Sequence, residues 1–401
     1  MTPLLPIHAP DIKDENMTPF LPFHAPDIGE EEIDAVVNVL RSGWLTTGPK
    51  ANQFEQEFAA VVGARFAIAV NSCTAALHLA LDACGLREGD EVIIPTMTFA
   101  ATGEAVVYFG ARPVLVDCTE DTLNIAPDQI EQAITPRTKA IIPVHFAGHP
   151  CEMNRILEIA RSRNLHVIED AAHALPARYH GKAVGTIGDC TCFSFYATKT
   201  ITTGEGGMVT TDNADWAKRI RAMSLHGLSR DAWNRYAAQG SWYYEILAPG
   251  FKYNLTDIAA ALGIAQLHKC ERFWKVRDHY AALYEEGFRD LPEIICPRAA
   301  EHVQHAWHLY VIQLDLDRLC IGRNEFVELL QREQIGCSVH FIPLHLHPYY
   351  RNTWGYRSED LPIATAVYQR TVSLPLYPKM SEGDVQRVVK IVRELILRYR
   401  R

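Results

Sequence analysis

Lys199 stands in the stretch CTCFSFYATKTITTGEGGMVTTD (residues 190–212), where alternating and aromatic residues give way to a short polar loop, to Gly204, Gly206 and Gly207, and to a second apolar run from Met208. The pattern reads as strand, loop and strand, with glycines that let backbone approach a bound group closely. A lysine framed by Phe193, Phe195 and Tyr196 on one side and by Thr200, Thr202 and Thr203 on the other suits covalent chemistry through its amine. Two other stretches carry chemistry. NSCTAAL (71–77) follows an apolar run and opens a helical pattern, so the N–H groups near Cys73 and Thr74 and the Thr74 hydroxyl can hold a phosphate at the positive helix end. VIEDAAHA (167–174) sets Asp170 at the end of an apolar strand with His173 three residues on, and a carboxylate there requires a cationic ligand atom or a protein base. Each also has a plain reading: Ser72 or Thr74 as an ordinary N-cap, Asp170 as a cap of the next helix, Lys199 as a solvated loop residue.

Taken together, an anion site, a carboxylate at a strand end and a lysine on a glycine-flanked loop meet the requirements of pyridoxal phosphate. They supply a phosphate cradle, a partner for a protonated pyridine nitrogen and an amine for a Schiff base.

Such residues must be set at strand ends, and the chain alternates accordingly. Helices are expected over 30–40, with Ile33, Val36, Val37 and Leu40 on one buried face, and around 54–61. Strands follow at 67–70, 91–95, 113–117, 139–144 and 166–170, separated by helices at 72–84, 99–109, after Pro127 and at 152–163, which implies a mostly parallel sheet covered on both faces. Beyond Asp215 the pattern turns helical, residues 233–253 read as a long ordered loop, and a long helix spans 257–283 or more. A smaller α+β part is expected from about Pro292, with a strand at 308–314 and helices at 324–333 and 382–398.

At 401 residues the chain exceeds the roughly 250 to 300 at which single cores stop growing, so two lobes are expected. A hydrophobic share of 48% and a charged share of 22% are those of a globular protein, and the net charge of −9 argues against nucleic acid as a partner. No apolar run approaches the ~20 residues that cross a bilayer, and no basic-then-apolar leader opens the chain, so the expectation is a cytoplasmic protein without a membrane partner. The ten cysteines read as reduced thiols, with the pair Cys190 and Cys192 on one strand face. His302, His305 and His308, and His340, His345 and His347, lack the i, i+4 pairing of a helical zinc site and are interrupted by Pro343 and Pro348 in the second set, so no metal is expected. Residues 1–16 are nearly repeated over 17–32, which reads as a flexible duplicated extension with Met17 as the ancestral start.

The motifs SGWLTTGPK (42–50), NSCTAAL, IIPTMTFAAT (93–102), IIPVHFAGHP (141–150), VIEDAAHA, the Lys199 stretch and GFKYNLTDIAAALG (250–263), in this order, give the chain from about Phe20 onward a specific resemblance. It resembles the pyridoxal-phosphate-dependent sugar-nucleotide aminotransferases of the DegT/StrS type. The style of LAPGFKYNLTDI and HAWHLY is most similar to the UDP-4-amino-4-deoxy-L-arabinose aminotransferases of lipid A modification.

The resemblance implies an α/β fold of the aspartate aminotransferase type (PLP fold type I). Its large domain carries a mostly parallel seven-stranded sheet and is joined to a smaller α+β C-terminal domain. On this reading residues 1–16 are an extension, 17–285 the large cofactor-binding domain with its N-terminal arm, and 286–401 the small domain. Lys199 would form the Schiff base, Asp170 would bond the pyridine nitrogen, His173 would lie near the ring or its phenolic oxygen, and Phe99 would stack on the ring, where the arabinose enzymes have tryptophan. Cys73, Thr74 and Ser194 would contact the phosphate, joined by Asn254 from the second subunit of a homodimer with shared sites. Trp44, Thr46 and Thr47 would border the site, His308, His340 and Tyr350 its substrate end, and the segment of His226, Gly227 and Arg230 would be a lid or sugar-nucleotide contact.

The implied reaction is ping-pong transfer of an amino group from L-glutamate to a nucleotide-linked keto sugar, a 4-keto sugar first, in polysaccharide or lipopolysaccharide biosynthesis. Alternatives are another keto substrate (a 3-keto sugar nucleotide, an octulosonate or an aromatic amino acid precursor), a cofactor-dependent sugar dehydratase, or a non-catalytic regulator. The dehydratases carry histidine in place of the lysine, so Lys199 argues against that reading.

Overall fold

The computed structural model describes residues 19–229 and 243–401. The near-repeat over 1–16, Arg230 and residues 233–242 of the expected loop lie outside them.

Seven strands form the main sheet: β1 (Phe66–Val70), β2 (Glu91–Pro95), β3 (Arg112–Val116), β4 (Thr138–Ile141), β5 (His166–Asp170), β6 (Cys190–Ser194) and β7 (Gly207–Thr211), in the order β1-β7-β6-β5-β4-β2-β3. Only β7 runs against its neighbours β1 and β6. The sheet is buried on both faces, which explains why β2 is an unbroken buried run, EVIIP, without polar alternation. Successive residues point to opposite sides. Ile94 and Ile168 join Leu77 and Leu81 of helix α3 (Cys73–Ala83) in one cluster, while Ile93 and Val167 join Met153, Ile156 and Ile159 of α6 (Met153–Arg163) in another. Helices α4 (Ala100–Val107), α5 (Pro127–Ala133) and α7 (Ala214–Met223) complete the two layers, and Phe54, Phe58, Phe193 and Phe195 form a third cluster near the sheet's outer end.

Two helices precede the sheet, α1 (Glu30–Ser42) and α2 (Pro49–Val62), and both pack on the 32-residue α8 (Asp257–Phe288). The buried face of α1 differs from expectation: Glu32 and Val39 are buried, whereas Ile33 and Leu40 are 47% and 52% exposed. Polar bonds set this rotation. The Glu32 carboxylate accepts from the Gly29 N–H at 2.8 Å, from Gln266 Nε2 at 2.9 Å and from Lys269 Nζ at 2.8 Å, and these partners on α8 turn the helix toward its acidic edge. Helix α2 begins earlier than its apolar spacing suggests, because buried Asp257 accepts from the N–H groups of Gly48, Ala51 and Lys50 at 2.7, 2.9 and 3.1 Å. A helix start needs such acceptors, and here they come from more than 200 residues away.

Beyond α8 a second, antiparallel sheet of β8 (Ile294–Ile295), β9 (Tyr310–Leu314) and β10 (Thr371–Leu374) is covered by α9 (Arg323–Arg332) and α12 (Glu382–Tyr399) around Tyr284, Tyr310, Ile312, Phe326 and Val392. Between α9 and β10 run α10 (Pro348–Trp354) and α11 (Pro362–Tyr368). Arg277, fully buried on α8, holds this sheet to the long helix: its Nη1 donates to the carbonyls of Leu376, His308 and Trp307 at 2.6, 3.2 and 3.3 Å. No helix among the described residues is long and apolar enough to cross a membrane.

Candidate active site

Strands β1, β6 and β5 run parallel to one another, so Val70, Ser194 and Asp170 finish on one edge of the sheet, where ligands of open α/β sheets bind. Register brings the rest together, since Gly207 faces both Val70 and Ser194, and Asp170 faces Cys192. A side chain at Gly207 would lie 2.6 Å from the Ser72 carbonyl and 2.8 Å from the Cys73 nitrogen, so only glycine lets β7 pass against the start of α3. Ser72 is that helix's N-cap, its Oγ accepting from the Ala75 N–H at 3.1 Å. The first-turn N–H groups of Cys73 and Thr74 have no acceptor within the helix and are available to an anion. Burial pushes the Cys73 thiol well above its ordinary pKa, so it meets a ligand as a neutral group.

Strand β5 ends in two adjacent carboxylates with opposite fates. Glu169 accepts from His145 Nε2 at 2.9 Å, from the Gly188 N–H at 2.7 Å and from Thr191 Oγ1 at 2.8 Å. The Cys151 N–H donates to His145 Nδ1 at 3.0 Å, which leaves the imidazole proton on Nε2, toward Glu169. Asp170, on the other face, is buried and has no ion-pair partner within 4.0 Å among the described residues. It accepts from Thr102 Oγ1 at 2.8 Å and from the Ala172 N–H at 3.1 Å. Burial raises its pKa, opposed by Thr102, by the Ala172 N–H and more weakly by Lys199 and His145. A buried carboxylate without a cation fits a protonated ring nitrogen, as the pyridine end of pyridoxal phosphate would offer.

Lys199 follows β6 on the loop before the glycines, its N–H donating to the Tyr196 carbonyl at 2.9 Å. It keeps partial contact with solvent, yet the protein packed around it lowers its pKa to about 8, with Cys73 and Asp170 acting in the opposite sense. Four imidazoles feel its charge. His24 and His340 are lowered to about 4, and His173 and His308 well below their usual value, in each case chiefly by burial. His173 Nδ1 accepts from the Ala147 N–H at 3.3 Å, and its ring lies 4.4 Å from that of His308, whose buried Nδ1 has no partner among the described residues. His340 Nδ1 is 2.9 Å from Ser373 Oγ. Phe99 is 63% exposed at the N-cap of α4.

Several of these residues were not evident in the sequence. Phe341 stacks on His173 at 5.8 Å and meets Phe99 at 5.9 Å, and His24 reaches the Ala197 carbonyl at 3.1 Å. Neither stands in a motif that points to it. Thr98 and Thr102 do carry a signal, an i, i+4 pair flanking Phe99.

The remaining expected residues lie elsewhere. Asn254 forms a bridge with Val70 at the sheet's outer edge, donates to Thr47 Oγ1 at 2.6 Å and accepts from Lys252 Nζ at 2.5 Å. With Thr46, Thr47, His226 and Gly227 it lines a cavity of about 820 Å3 whose walls do not include Lys199 or Asp170. Trp44 closes the turn before α2, its Nε1 donating to the Thr47 carbonyl at 3.2 Å. Tyr350 is buried in the core among Leu344 and Leu361, its hydroxyl against Gly103, where an added Cβ would lie 2.2 Å away; this places it behind α4 and not at an open substrate face. The histidines weighed as metal ligands make other contacts: His305 stacks on Trp307 at 4.0 Å, and His345 spans Thr96 and Thr365 at 2.8 and 2.9 Å.

Residues 26–393 match the DegT/DnrJ/EryC1/StrS aminotransferase family. The spore coat polysaccharide biosynthesis protein SpsC of Bacillus subtilis is 52% identical over 366 residues, 91% of this chain and 94% of that protein. Among solved structures, the putative sugar aminotransferase Spr1654 from Streptococcus pneumoniae in its PLP form superposes with a TM-score of 0.88 at 35% identity, covering 94% of this chain and 99% of the other. DesI, crystallised in the presence of its TDP-sugar product, gives 0.84 at 32% identity over 95% and 93% of the two chains. The seven-stranded sheet and this similarity along nearly the whole chain agree: the protein belongs to the DegT/DnrJ/EryC1/StrS aminotransferase family and is a pyridoxal-phosphate-dependent sugar aminotransferase.

Proposed function

We propose that the enzyme transfers an amino group from L-glutamate to the keto group of a nucleotide-linked sugar, with the 4-position as the first candidate, in two half-reactions at one site. The observation that carries this reading is a lysine amine, its pKa lowered by burial, close enough to feel the charge of a buried carboxylate that has no ion-pair partner within 4.0 Å among the described residues. DesI, whose product is a TDP-sugar, and SpsC, named for polysaccharide biosynthesis, support the substrate class.

Pyridoxal phosphate, when bound, supplies the aldehyde that takes up the amine and a ring that accepts the electron pair left on the substrate carbon. The chain's own residues do the rest. Asp170 would hold the ring-nitrogen proton, Lys199 Nζ would move the proton taken from the substrate carbon, and Phe99 would cover the ring. His173 would lie near the ring oxygen, the α3 start with Cys73, Thr74 and Ser194 would take the phosphate, and His308 and His340 would face the substrate. We assign Trp44, Thr46 and Asn254 to the site of a second copy in a homodimer. The cavity that Thr46 and Asn254 line also takes in Ile68 and Ala69 of β1, three strands from β5 or roughly 14 Å at ordinary strand spacing.

Absorbance tests the reading. Protein reconstituted with pyridoxal phosphate should show a visible band that is lost on adding glutamate and restored by a keto-sugar nucleotide. Lys199→Ala should lack the band and slow the half-reaction by about 10²–10⁴-fold. A wild-type protein without the band, or with one that glutamate leaves unchanged, overturns the lysine or the donor assignment respectively.

A further inference from the structure

Asp170 is the second member of the catalytic pair, and the hydrogen bonds that hold it do not end at its own carboxylate. Thr102 Oγ1 lies 2.8 Å from Asp170 Oδ2, and Thr98 Oγ1 lies 2.7 Å from Thr102 Oγ1. An ionised carboxylate only accepts, so the Thr102 hydroxyl must donate to it. Its oxygen is then free to accept, and Thr98 must donate in turn, which fixes the polarity of the chain from end to end. Thr98 and Thr102 are both buried, so bulk water does not compete for these bonds, and hydrogen bonds in series strengthen one another in such surroundings. The two hydroxyls stand at i and i+4 around the start of α4, and the residue between them at the N-cap is Phe99. One helical turn thus carries the aromatic assigned to the ring face and the donors to the carboxylate assigned to the ring nitrogen.

We propose that Thr98 and Thr102 form a hydroxyl relay that orients Asp170 and sets how strongly its carboxylate draws the proton of the cofactor's ring nitrogen. Both are positioning residues, and the inference rests on Asp170 meeting that nitrogen. With the relay intact, part of the carboxylate charge is spent on Thr102, the proton stays with the ring, and the ring keeps its full positive charge. Without it, Oδ2 loses its only side-chain donor among the described residues and pulls the proton toward itself. The ring would become less positive, and the Lys199 nitrogen, joined to it through the cofactor's aldehyde carbon, would become more basic.

The test uses the reconstituted enzyme with Thr102→Val, Thr102→Ser and Thr98→Val. Valine keeps the shape of threonine and removes only the hydroxyl. We expect Thr102→Val to raise the pH midpoint of the visible cofactor band by about one unit and to weaken pyridoxal phosphate binding to the apoenzyme about 10-fold. It should also lower kcat with little change in KM for the amino donor. Thr102→Ser should return both cofactor readouts to near wild-type values. Thr98→Val, which keeps the Thr102–Asp170 bond, should move the midpoint in the same direction by less, and it carries the test if Thr102→Val does not fold.

A wild-type midpoint in Thr102→Val, or in Thr98→Val should it stand alone, overturns the relay. So does Thr102→Ser behaving like valine, which would make the methyl group the actor. Asp170→Asn separates the premise from the inference: if that variant leaves the midpoint unchanged, the placement of Asp170 at the ring nitrogen fails and not the relay alone.

Discussion

Lys199 is the residue to which the proposed chemistry is assigned, and its surroundings make it a better nucleophile than a surface lysine. Burial lowers its pKa from 10.5 to about 8 against the weaker pull of Cys73 and Asp170. The charged amine is therefore disfavoured, and at pH 7 about one amine in ten is neutral, where an ordinary lysine would have fewer than one in a thousand. The rate at which apoenzyme captures pyridoxal phosphate, followed by stopped-flow absorbance, should rise about tenfold per pH unit below pH 8 and level off above it. A rate that keeps climbing toward pH 10 would show that solvent reaches the amine more freely than the packing implies. The neighbouring imidazoles, lowered chiefly by burial, stay neutral through this range and add no competing charge.

At the scale of elements, the site depends on how helices begin. Helix α2 starts where three N–H groups meet the carboxylate of Asp257, and that start fixes the turn containing Trp44, Thr46 and Thr47. Asp257→Ala should cost about 2 kcal/mol, read from urea unfolding, because it leaves buried donors unpaired. Asp257→Asn, which keeps an acceptor oxygen, should cost less. Helix α3 starts under Gly207, and Gly207→Ala should shift Ser72 and Cys73 and weaken cofactor binding more than global stability, seen by comparing cofactor titration with thermal unfolding.

These same starts mark what a reader of the sequence can and cannot see. The apolar runs of β2 and β5 and the spacing of α6 are local signals, and they delimit those elements to within a residue or two. The start of α2 depends on residue 257, and the buried face of α1 on Gln266 and Lys269, so neither follows from the local pattern. In the site, Lys199, Asp170 and the α3 start were legible because each lies at a strand end beside its own motif. Phe341 and His24 arrive from the second sheet's side and the N-terminal arm, and only the tertiary fold brings them in.

For the whole molecule, the polar anchoring of α1 leaves Ile33 and Leu40 facing outward, and Leu45 in the turn that follows is exposed as well. Apolar side chains exposed on one helix commonly mark association, and the turn after this helix supplies Thr46 and Thr47 to the cavity lined by Asn254. Ile33→Glu with Leu40→Glu should convert the proposed dimer to a monomer in sedimentation velocity and lower the amino-transfer rate in proportion. A double variant that remains dimeric would remove this face from the interface.

Arg277 has a mechanical consequence. A single guanidinium with no ion-pair partner among the described residues grips three carbonyls from two segments of the second sheet's side, and burial lowers its pKa only to about 10, so it stays charged. Sliding that sheet along α8 would leave a buried cation without its acceptors, a heavy penalty in a dry interior. The joint is a rivet and not a hinge. Whatever motion admits the substrate must pivot elsewhere, with His308 carried rigidly on the α8 side of the movement.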